Sequence, residues 1–512
     1  MWQSKKWQGK NRWRGVGRAA TAVVAGLVIL AVPGPASAKG EPDEATIQRV
    51  VSDFARNAGY PGIAVAISKG DQVLYTGGYG KDSSGAAVTA TTPMPAASVS
   101  KSFTALAVMQ LVEARKVTLD APVRDYLPDF RISDSRGEQI TVRDLLNQTS
   151  GITDSTLPEK SLPQPDSLAG AMTRAHDATL AVDPGTKYSY TNTNYHLAAR
   201  LVEAVAGEPF ADYLRRHVFE PIGMRATVTI DQTPRDLPRD VRKGFVYAYG
   251  VPIPVTEPKR FVNGSDGVVT TAADLAKWLI VHSNAGRAAN GTQPVSASSI
   301  AAMHTSSDQR WTYGMGWNVD QKGRVRHSGV WFTYTAEQLL LPGGYGIAVI
   351  GNSGIGLVNE GIGSLADELA TLVTGGEPSP GVPVRLIVDL TLAGLTLLSV
   401  FLGVRNLRRT RAWAERLTGR PSWRLVLRLL PRLIPLALLT VLPDLLGGIV
   451  GGGRDLTFVQ LCYYSVALVT WAAVAALMNV SVLITRVVAL AHLRRSADSP
   501  VTRDVFAQIA PR

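Results

Sequence analysis

Three long apolar segments in the last quarter of the chain constrain its fold more than any other feature. They cover roughly residues 384–404, 433–450 and 458–484, and each is near the roughly 20 residues that a helix needs to cross a bilayer. Because lipid cannot hydrogen-bond the backbone, a segment of this kind must cross as a helix. The sequence therefore predicts a three-helix transmembrane region over residues 384–495 and the lipid bilayer as a partner of this chain.

The distribution of arginine between these segments predicts their orientation. The loop between the first and second segments carries nine Arg residues against a single acid, Glu415, whereas the loop between the second and third carries only Arg454 and Asp455 as charged residues. By the positive-inside rule, the Arg-rich loop lies in the cytoplasm. We therefore predict a multi-pass protein of the cell membrane, with residues 39–380 extracytoplasmic and residues 496–512 forming a cytoplasmic tail.

The N-terminus independently predicts export. Six basic residues precede the apolar stretch 19–32, and Ala36-Ser37-Ala38 forms a small-x-small cleavage pattern. These features are typical of a secretory signal peptide over residues 1–38. An uncleaved signal anchor is the alternative, and it would export the following domain equally well.

Charge and cysteine content exclude several classes of protein. A formal net charge of +12 would suit a nucleic-acid partner, but the basic excess is confined to residues 1–38 and 384–512, so no nucleic-acid partner is predicted. The single cysteine, Cys462, allows neither an intramolecular disulfide nor a Cys-based metal site. The histidines show no metal-ligand spacing. We expect no metal and no organic cofactor.

Residues 39–375 are predicted to form a globular α/β domain, followed by a linker at residues 376–383. Helical spacing covers residues 41–57, and residues 63–68 and 72–75 have the pattern of a hairpin around Gly70. Short strands are predicted late in the domain, at residues 313–319, 323–326, 336–341 and 346–351, before a closing helix at 357–373. Strands at both ends with helices between them predict one sheet built from distant parts of the chain.

Two features of the membrane region allow more than one interpretation. Arg385 and Asp389 lie near the start of the first apolar segment, where they are either functional intramembrane charges or interfacial residues that set where the span begins. We favour the interfacial role. The glycines of residues 447–453 are compatible either with close helix packing or with a flexible turn.

Ser98 and Lys101 form the first candidate for chemistry. A helix beginning near Ser98 would place both side chains on one face, three residues apart, and its N-terminal amides would surround the serine with partial positive charge. A serine hydroxyl needs a neighbouring base to become a good nucleophile, and a buried lysine can serve because desolvation lowers its pKa. Taken alone, the pair also fits a capping serine beside a solvent-facing lysine.

Two further motifs follow in a suggestive order. Tyr190-Thr191-Asn192 lies on a loop before a helix, and His327-Ser328-Gly329 lies at the end of a predicted strand. Serine-x-x-lysine, tyrosine-x-asparagine and a basic-hydroxyl-glycine strand, in this order and spacing, resemble the penicillin-recognising serine hydrolases. That group includes class C β-lactamases, DD-peptidases and related esterases. The resemblance covers nearly all of residues 45–375, with supporting segments at 140–152, 271–278 and 313–317.

The resemblance implies a β-lactamase/transpeptidase-like fold, in which an antiparallel sheet is flanked by helices and accompanied by an all-helical subregion. It also implies roles for individual residues. Ser98 would be the nucleophile, and Lys101 and Tyr190 would share its proton transfers, with the primary base left open between them. The remaining members would bind substrate: Asn192 through its amide, the backbone N–H groups of Ser98 and Val330 as an oxyanion hole, and the strand residues His327, Ser328 and Gly329.

One position differs from the family pattern. Class C β-lactamases usually carry Lys-Thr-Gly where this chain has His327-Ser328-Gly329, and a mostly neutral histidine attracts a substrate carboxylate less strongly than lysine does. The sequence thus predicts a membrane-anchored extracytoplasmic serine hydrolase of the β-lactamase/D-Ala-D-Ala carboxypeptidase type. It would cleave an amide or ester bond of a small-molecule or peptide substrate from the cell envelope through a Ser98 acyl-enzyme. The alternative is a slow or inactive membrane-tethered sensor of β-lactams or peptidoglycan.

Overall fold

A six-stranded antiparallel sheet lies at the centre of the globular domain. The strands of the described residues are β1 (Gly62–Lys69), β2 (Gln72–Gly80), β3 (Met94–Pro95), β4 (Val228–Thr229), β5 (Gln232–Thr233), β6 (Gly244–Ala248), β7 (Val251–Val255), β8 (Arg260–Phe261), β9 (Val268–Thr270), β10 (Asn318–Val319), β11 (Val325–Val330), β12 (Thr335–Leu340) and β13 (Tyr345–Gly351). The central sheet has the strand order β10-β11-β12-β13-β1-β2, and β1 pairs with β13 from Ile63 opposite Gly351 to Lys69 opposite Tyr345. The predicted sheet built from both ends of the domain is therefore confirmed.

The computed structural model describes residues 41–356, 361–379, 381–449 and 454–497. The signal peptide predicted at residues 1–38 and nearly all of the predicted tail, 496–512, lie outside these ranges. The α-helices are α1 (Glu44–Ala58), α2 (Ser100–Glu113), α3 (Val142–Leu146), α4 (Leu168–Arg174), α5 (Asn192–Ala206), α6 (Phe210–Tyr213), α7 (Ala272–Ser283), α8 (Ala297–Met303), α9 (Ile362–Val373), α10 (Val384–Arg408), α11 (Thr410–Leu417), α12 (Ser422–Leu429), α13 (Ile434–Ile449), α14 (Phe458–Tyr464) and α15 (Val466–Ala497).

Helices cover both faces of the sheet, and strand β1 shows why. Its residues are apolar on both sides: Ala64 and Ala66 belong to the core that contains α2 and α7, whereas Val65 belongs to the core that contains α1 and α9. Successive side chains of a strand point to opposite faces, so a continuous apolar run fits a strand buried between two helical layers. Helix α2, which carries the candidate lysine, packs through Phe103, whose ring stacks on Trp278 of α7 at 3.9 Å.

The strand predicted at residues 313–319 is wrong over most of its length, because only Asn318–Val319 forms a strand. Gly316 explains the difference. Its φ is +76°, and a Cβ there would lie 2.8 Å from the backbone carbonyl carbon and oxygen of Lys101. The chain at this point presses directly against the backbone of α2. That approach requires a glycine and a left-handed turn, which an extended strand would not provide.

Three helices near the C-terminus are long and apolar enough to cross a membrane: Val384–Arg408, Ser422–Ile449 and Val466–Ser496. The third differs from its predicted bounds. Residues 458–464 form the separate helix α14, which Thr457 caps through a reciprocal capping box with Gln460. The chain then breaks at Ser465 before the third long helix begins.

The interfacial interpretation of Arg385 and Asp389 is incomplete, because both residues contact the globular domain. The Arg385 guanidinium donates to the Ala58 carbonyl oxygen at 3.3 Å, and the Asp389 carboxylate accepts from the Tyr249 backbone N–H at 2.7 Å. These buried contacts attach the first turns of α10 to the domain. Among the glycines of residues 447–453, Gly447 closely approaches a loop, since a Cβ there would lie 2.6 Å from the Arg454 carbonyl oxygen.

Candidate active site

Ser98 lies in a tight turn at the start of α2. Residues Ala97–Val99 form one 3-10 turn, and the α-helix itself begins only at Ser100. Ala97 is fully buried with a φ of +48°, a conformation that non-glycine residues adopt at a cost. The Ser100 hydroxyl stabilises the turn, because it donates to the Ala97 carbonyl oxygen at 2.6 Å and accepts from the Val268 N–H at 2.9 Å.

Lys101 is completely buried and directed at Ser98. Its Nζ donates to the Ser98 Oγ at 3.0 Å, to the Asn192 Oδ1 at 2.9 Å and to the Ser265 carbonyl oxygen at 3.0 Å. This geometry excludes the alternative of a solvent-facing lysine. Burial lowers the pKa of Lys101, the carboxylate of Asp266 opposes that change, and the resulting pKa is about 8.

Asp266 is a member of the site that the sequence analysis missed. The Ser98 hydroxyl donates to its Oδ1 at 2.6 Å, while Lys101 and Arg260 form ion pairs with it at 3.3 and 3.1 Å. Burial would raise the pKa of this carboxyl, but the two cations outweigh burial and hold the pKa at about 2. Asp266 is therefore ionised. The signal available in the sequence was an acidic residue between two nearby glycines, Gly264 and Gly267. In the structure Gly264 has a φ of +80°.

Tyr190 and Asn192 enter the site from the start of α5. The Lys101 Nζ lies 4.9 Å from the centroid of the Tyr190 ring, and Tyr190 and Ser98 line the same pocket. Burial raises the pKa of Tyr190, so the phenol is protonated at neutral pH. Asn192 accepts from Lys101 and donates through Nδ2 to Glu159 at 2.9 Å and to Asp266 at 3.1 Å. Its amide thus links the lysine to two carboxylates.

His327 is buried in β11 with both ring nitrogens engaged. Nδ1 lies 2.7 Å from the Ser328 carbonyl oxygen and therefore carries the proton, and Nε2 lies 3.0 Å from the Tyr313 hydroxyl, which can donate to it. Burial first, and the charge of Lys101 second, lower the pKa of His327 to about 3. The histidine is consequently neutral, and it supplies no positive charge at the position where the resemblance places a basic residue.

The remaining strand residues lie beside the serine. Ser328 is exposed and Val330 is partly buried, and both line the same pocket as Ser98. Gly329 lies against the turn that carries the serine, because a Cβ there would be 2.3 Å from the Ala96 carbonyl oxygen and 3.2 Å from the Ser98 nitrogen. Absence of a side chain at position 329 is what allows β11 to approach Ser98 this closely.

One pocket brings most of the predicted site residues together. Ser98, Tyr190, Asn192, His327, Ser328 and Val330 line it, Lys101 lies directly behind Ser98, and Gly329 separates the strand from the serine turn. The lining residues that the sequence analysis missed are Lys160, Arg260, Asp266, Asn318, Arg454, Gln460 and Tyr464. Within the part of the chain that the structure describes, no group of three or more His, Cys, Asp or Glu side chains could hold a metal ion.

Comparisons with known proteins agree with the fold. The family model described as Beta-lactamase matches residues 47–365. The chain is 32% identical over 334 residues to Penicillin-binding protein 4 of Amycolatopsis lactamdurans. The alignment covers 60% of this chain and 86% of that protein. The octameric penicillin-binding protein homologue from Pyrococcus abyssi is similar in structure at 25% identity and a TM-score of 0.56, covering 69% of this chain and 82% of that one. D-alanine carboxypeptidase AmpC from Burkholderia cenocepacia, at 20% identity and a TM-score of 0.52, shares the fold over 65% of this chain and 98% of its own.

Proposed function

This chain belongs to the beta-lactamase family, whose members are serine hydrolases, and we propose that it hydrolyses an amide or ester bond of a cell-envelope substrate through an acyl-enzyme on Ser98. The observation that carries the proposal is the position of the Ser98 hydroxyl. It lies 3.0 Å from the buried Lys101 Nζ and 2.6 Å from the Asp266 carboxylate, at the wall of a pocket. A hydroxyl with a proton acceptor in reach and space for a carbonyl group has the arrangement that nucleophilic catalysis requires.

The proposed reaction proceeds in two steps. In the first, the Ser98 Oγ forms a bond to the substrate carbonyl carbon, its proton passes to the neutral amine of Lys101, and the bond to the leaving amine or alkoxide breaks as that group takes a proton through Lys101 or Tyr190. In the second step, water forms a bond to the acyl carbon and its proton passes to the same base. The bond between that carbon and the Ser98 Oγ then breaks, the carboxylic acid is released, and the Ser98 Oγ takes the proton back from the base. The N–H groups of Ser98 and Val330 would stabilise the oxyanion in both steps.

The location that we propose is extracytoplasmic, at the surface of the membrane. The Arg-rich loop between the first two long helices favours a cytoplasmic position for that loop, which leaves the globular domain and the loop before α14 on the other side. Contacts between that loop and the domain support a common side, because the Lys160 Nζ donates to the Asp455 carbonyl oxygen at 3.0 Å. Penicillin-binding proteins and D-alanine carboxypeptidases among the similar proteins favour a peptide from the cell wall as the substrate.

Covalent labelling tests the nucleophile. We expect a fluorophosphonate or a fluorescent penicillin to label the full-length protein at Ser98, and the variant Ser98→Ala to remain unlabelled. Peptide mapping separates Ser98 from the neighbouring Ser100 and Ser102, whose buried hydroxyls donate to backbone carbonyl oxygens. Equal labelling of both proteins would contradict the assignment. Release of the label over time would separate a hydrolase from a slow acyl-enzyme sensor.

The pH dependence of acylation should reveal the base. Only the neutral amine of Lys101 can accept a proton, so with a pKa of about 8 the acylation rate should rise as the pH increases through that value. At pH 7 roughly a tenth of the plateau rate is expected. Because the carboxylate of Asp266 raises the pKa of Lys101, the variant Asp266→Asn should shift this rise of the acylation rate toward lower pH.

The Asp266→Asn variant also separates two lysines. Lys160 lines the same pocket and has a pKa of about 8, lowered by burial and by Arg454, while its nearby carboxylates are Asp154 and Glu159. If Lys160 were the base, the pH at which the acylation rate rises would therefore not change in the variant. A rate that does not change between pH 6 and pH 9.5, in protein shown to remain folded over that range, would contradict a role for either lysine as the base.

A further inference from the structure

The active-site pocket has one wall that comes from the membrane region. Arg454, Gln460 and Tyr464 line it beside Ser98, and they belong to the 454–464 segment that immediately precedes the third long helix. Arg454, one of the two charged residues of the loop between the second and third long helices, therefore lies beside the nucleophile.

The 454–464 segment is attached to the globular domain at several points. The Tyr463 hydroxyl donates to the Thr256 carbonyl oxygen at 2.8 Å, and the Ser161 hydroxyl donates to the Asp455 carboxylate at 3.0 Å. The rings of Tyr463 and Tyr464 contact Phe332 at centroid distances of 5.0 and 6.1 Å. Phe332 lies two residues after Val330, so the segment packs against the connection that follows the strand residue proposed for the oxyanion hole.

Arg454 is held at the pocket in a defined position. Its Nε donates to the buried Asp154 Oδ2 at 3.2 Å, and its guanidinium carbon lies 4.7 Å from the centroid of the Tyr190 ring. Burial would lower the pKa of Arg454, but the nearby carboxylates, Asp154 first among them, outweigh burial and raise it, so the side chain is charged. Among the described residues, its Nη2 is buried and has no hydrogen-bond partner.

The charges at the pocket favour an anionic ligand. Three of the charged side chains that line it are cations and one, Asp266, is an anion. Asp266 is already shared by two cations, as described above. Asp154, behind the wall, is likewise shared by Lys160 at 3.4 Å and Arg454 at 3.2 Å. The Arg454 side chain is 32% exposed, so an anion in the pocket can reach it, and that anion could accept from its buried, unsatisfied donor. The neutral His327 provides no competing positive charge.

We propose that Arg454 binds a carboxylate of the substrate and that the membrane region thereby completes the active site. This inference rests on the proposed function for the identity of the substrate as an acyl donor. Arg454 is a specificity-determining residue in this arrangement, and the loop before α14 has a role in recognition as well as in anchoring. Its position next to the third long helix places the recognised carboxylate close to the membrane surface.

Kinetics of the full-length protein in detergent or nanodiscs test this role. Two ester substrates are compared that differ only in their leaving group, which carries either a carboxylate or the neutral carboxamide. The unmodified protein should prefer the carboxylate by about tenfold or more in kcat/KM, as expected for a hydrogen bond to a charged group. Arg454→Gln should abolish that preference through a higher KM, and Arg454→Lys should retain part of it.

Controls separate binding from folding and from occlusion of the pocket. Arg411→Gln, in the loop between the first two long helices and paired with Glu415, should keep the full preference. Thermal unfolding of Arg454→Gln, compared with that of the unmodified protein, should show that the variant is folded, independently of any reaction at Ser98. A preserved carboxylate preference in Arg454→Gln would overturn the proposal. An equal increase in rate on both substrates would also overturn it, because it would show that the Arg454 side chain blocks the pocket.

Equilibrium binding distinguishes failure of this inference from failure of the proposed function. In the Ser98→Ala background, a carboxylate ligand should bind more tightly than its carboxamide, and adding Arg454→Gln should remove the difference. If Ser98 is never labelled and yet this difference in binding is found, the proposed hydrolysis is wrong and the assignment of Arg454 stands. If labelling proceeds and no difference in binding is found, only the assignment of Arg454 is wrong.

Discussion

Replacement of Lys101 by methionine should reduce the rate of Ser98 acylation by about 1,000-fold, the range expected for loss of a general base. Methionine fills most of the buried volume but cannot accept a proton or donate to Ser98, Asn192 and the Ser265 carbonyl oxygen, the three partners of Nζ within 3.0 Å. The rate is measured by time-resolved labelling with a fluorophosphonate. Lys116→Met, an exposed lysine just beyond the end of α2, is the matched control and should react normally.

The same substitution should also destabilise the protein, and this effect has to be separated from catalysis. Lys101→Met leaves the carboxylate of Asp266 buried without one of its two cations, and breaking a buried ion pair costs about 3–5 kcal/mol of unfolding free energy. The double variant Lys101→Met/Asp266→Asn removes that charge. It should recover much of the thermal stability and none of the acylation rate. Recovery of both together would show that Lys101 acts only on the fold.

Gly329→Ala should strongly reduce both the stability of the protein and the rate of Ser98 acylation, although the change adds a single methyl group. The new Cβ would lie 2.3 Å from the Ala96 carbonyl oxygen and 3.1 Å from the Ala97 Cβ, and neither of these atoms belongs to a flexible side chain that could move away. Strand β11 must therefore move away from Ser98, which carries the Val330 N–H away from the oxyanion. We expect a loss of about 1–3 kcal/mol in unfolding free energy and about 100-fold in acylation rate.

A glycine with space for a methyl group provides the control for this prediction. A Cβ at Gly381, in the linker before α10, would have the Glu368 Oε1 at 3.8 Å as its nearest contact, so Gly381→Ala should leave stability and acylation unchanged. Thermal unfolding and fluorophosphonate labelling of both variants check the pair. An active Gly329→Ala protein would show that β11 can shift without affecting Ser98, and that Val330 does not serve the oxyanion.

The main features of the fold and half of the site could be predicted from short-range patterns. Alternation and apolar runs identified the central strands, and the spacing of Ser98 and Lys101 on one helical turn placed those two side chains together. The strand predicted at 313–319 failed because alternation alone does not register the close approach of Gly316 to the backbone of α2. The third apolar segment was predicted to begin at residue 458, whereas the third long helix begins at Val466. Hydrophobicity does not distinguish a short helix packed on a protein surface from the start of a membrane span.

What the sequence by itself determined is the chemistry that is local in the chain: the serine-lysine turn, the tyrosine-x-asparagine entry to α5, and three apolar helices. Only the tertiary structure showed that Ser98 donates a hydrogen bond to Asp266, that both ring nitrogens of His327 have hydrogen-bond partners, and that Arg454 lies at the pocket. These contacts connect residues 168 or more positions apart, or depend on burial, and neither distance in space nor desolvation is encoded in residue spacing. The physical reason is that a pKa or an ion pair depends on its surroundings, and the surroundings of this site come from both the globular domain and the segment that precedes the third long apolar helix.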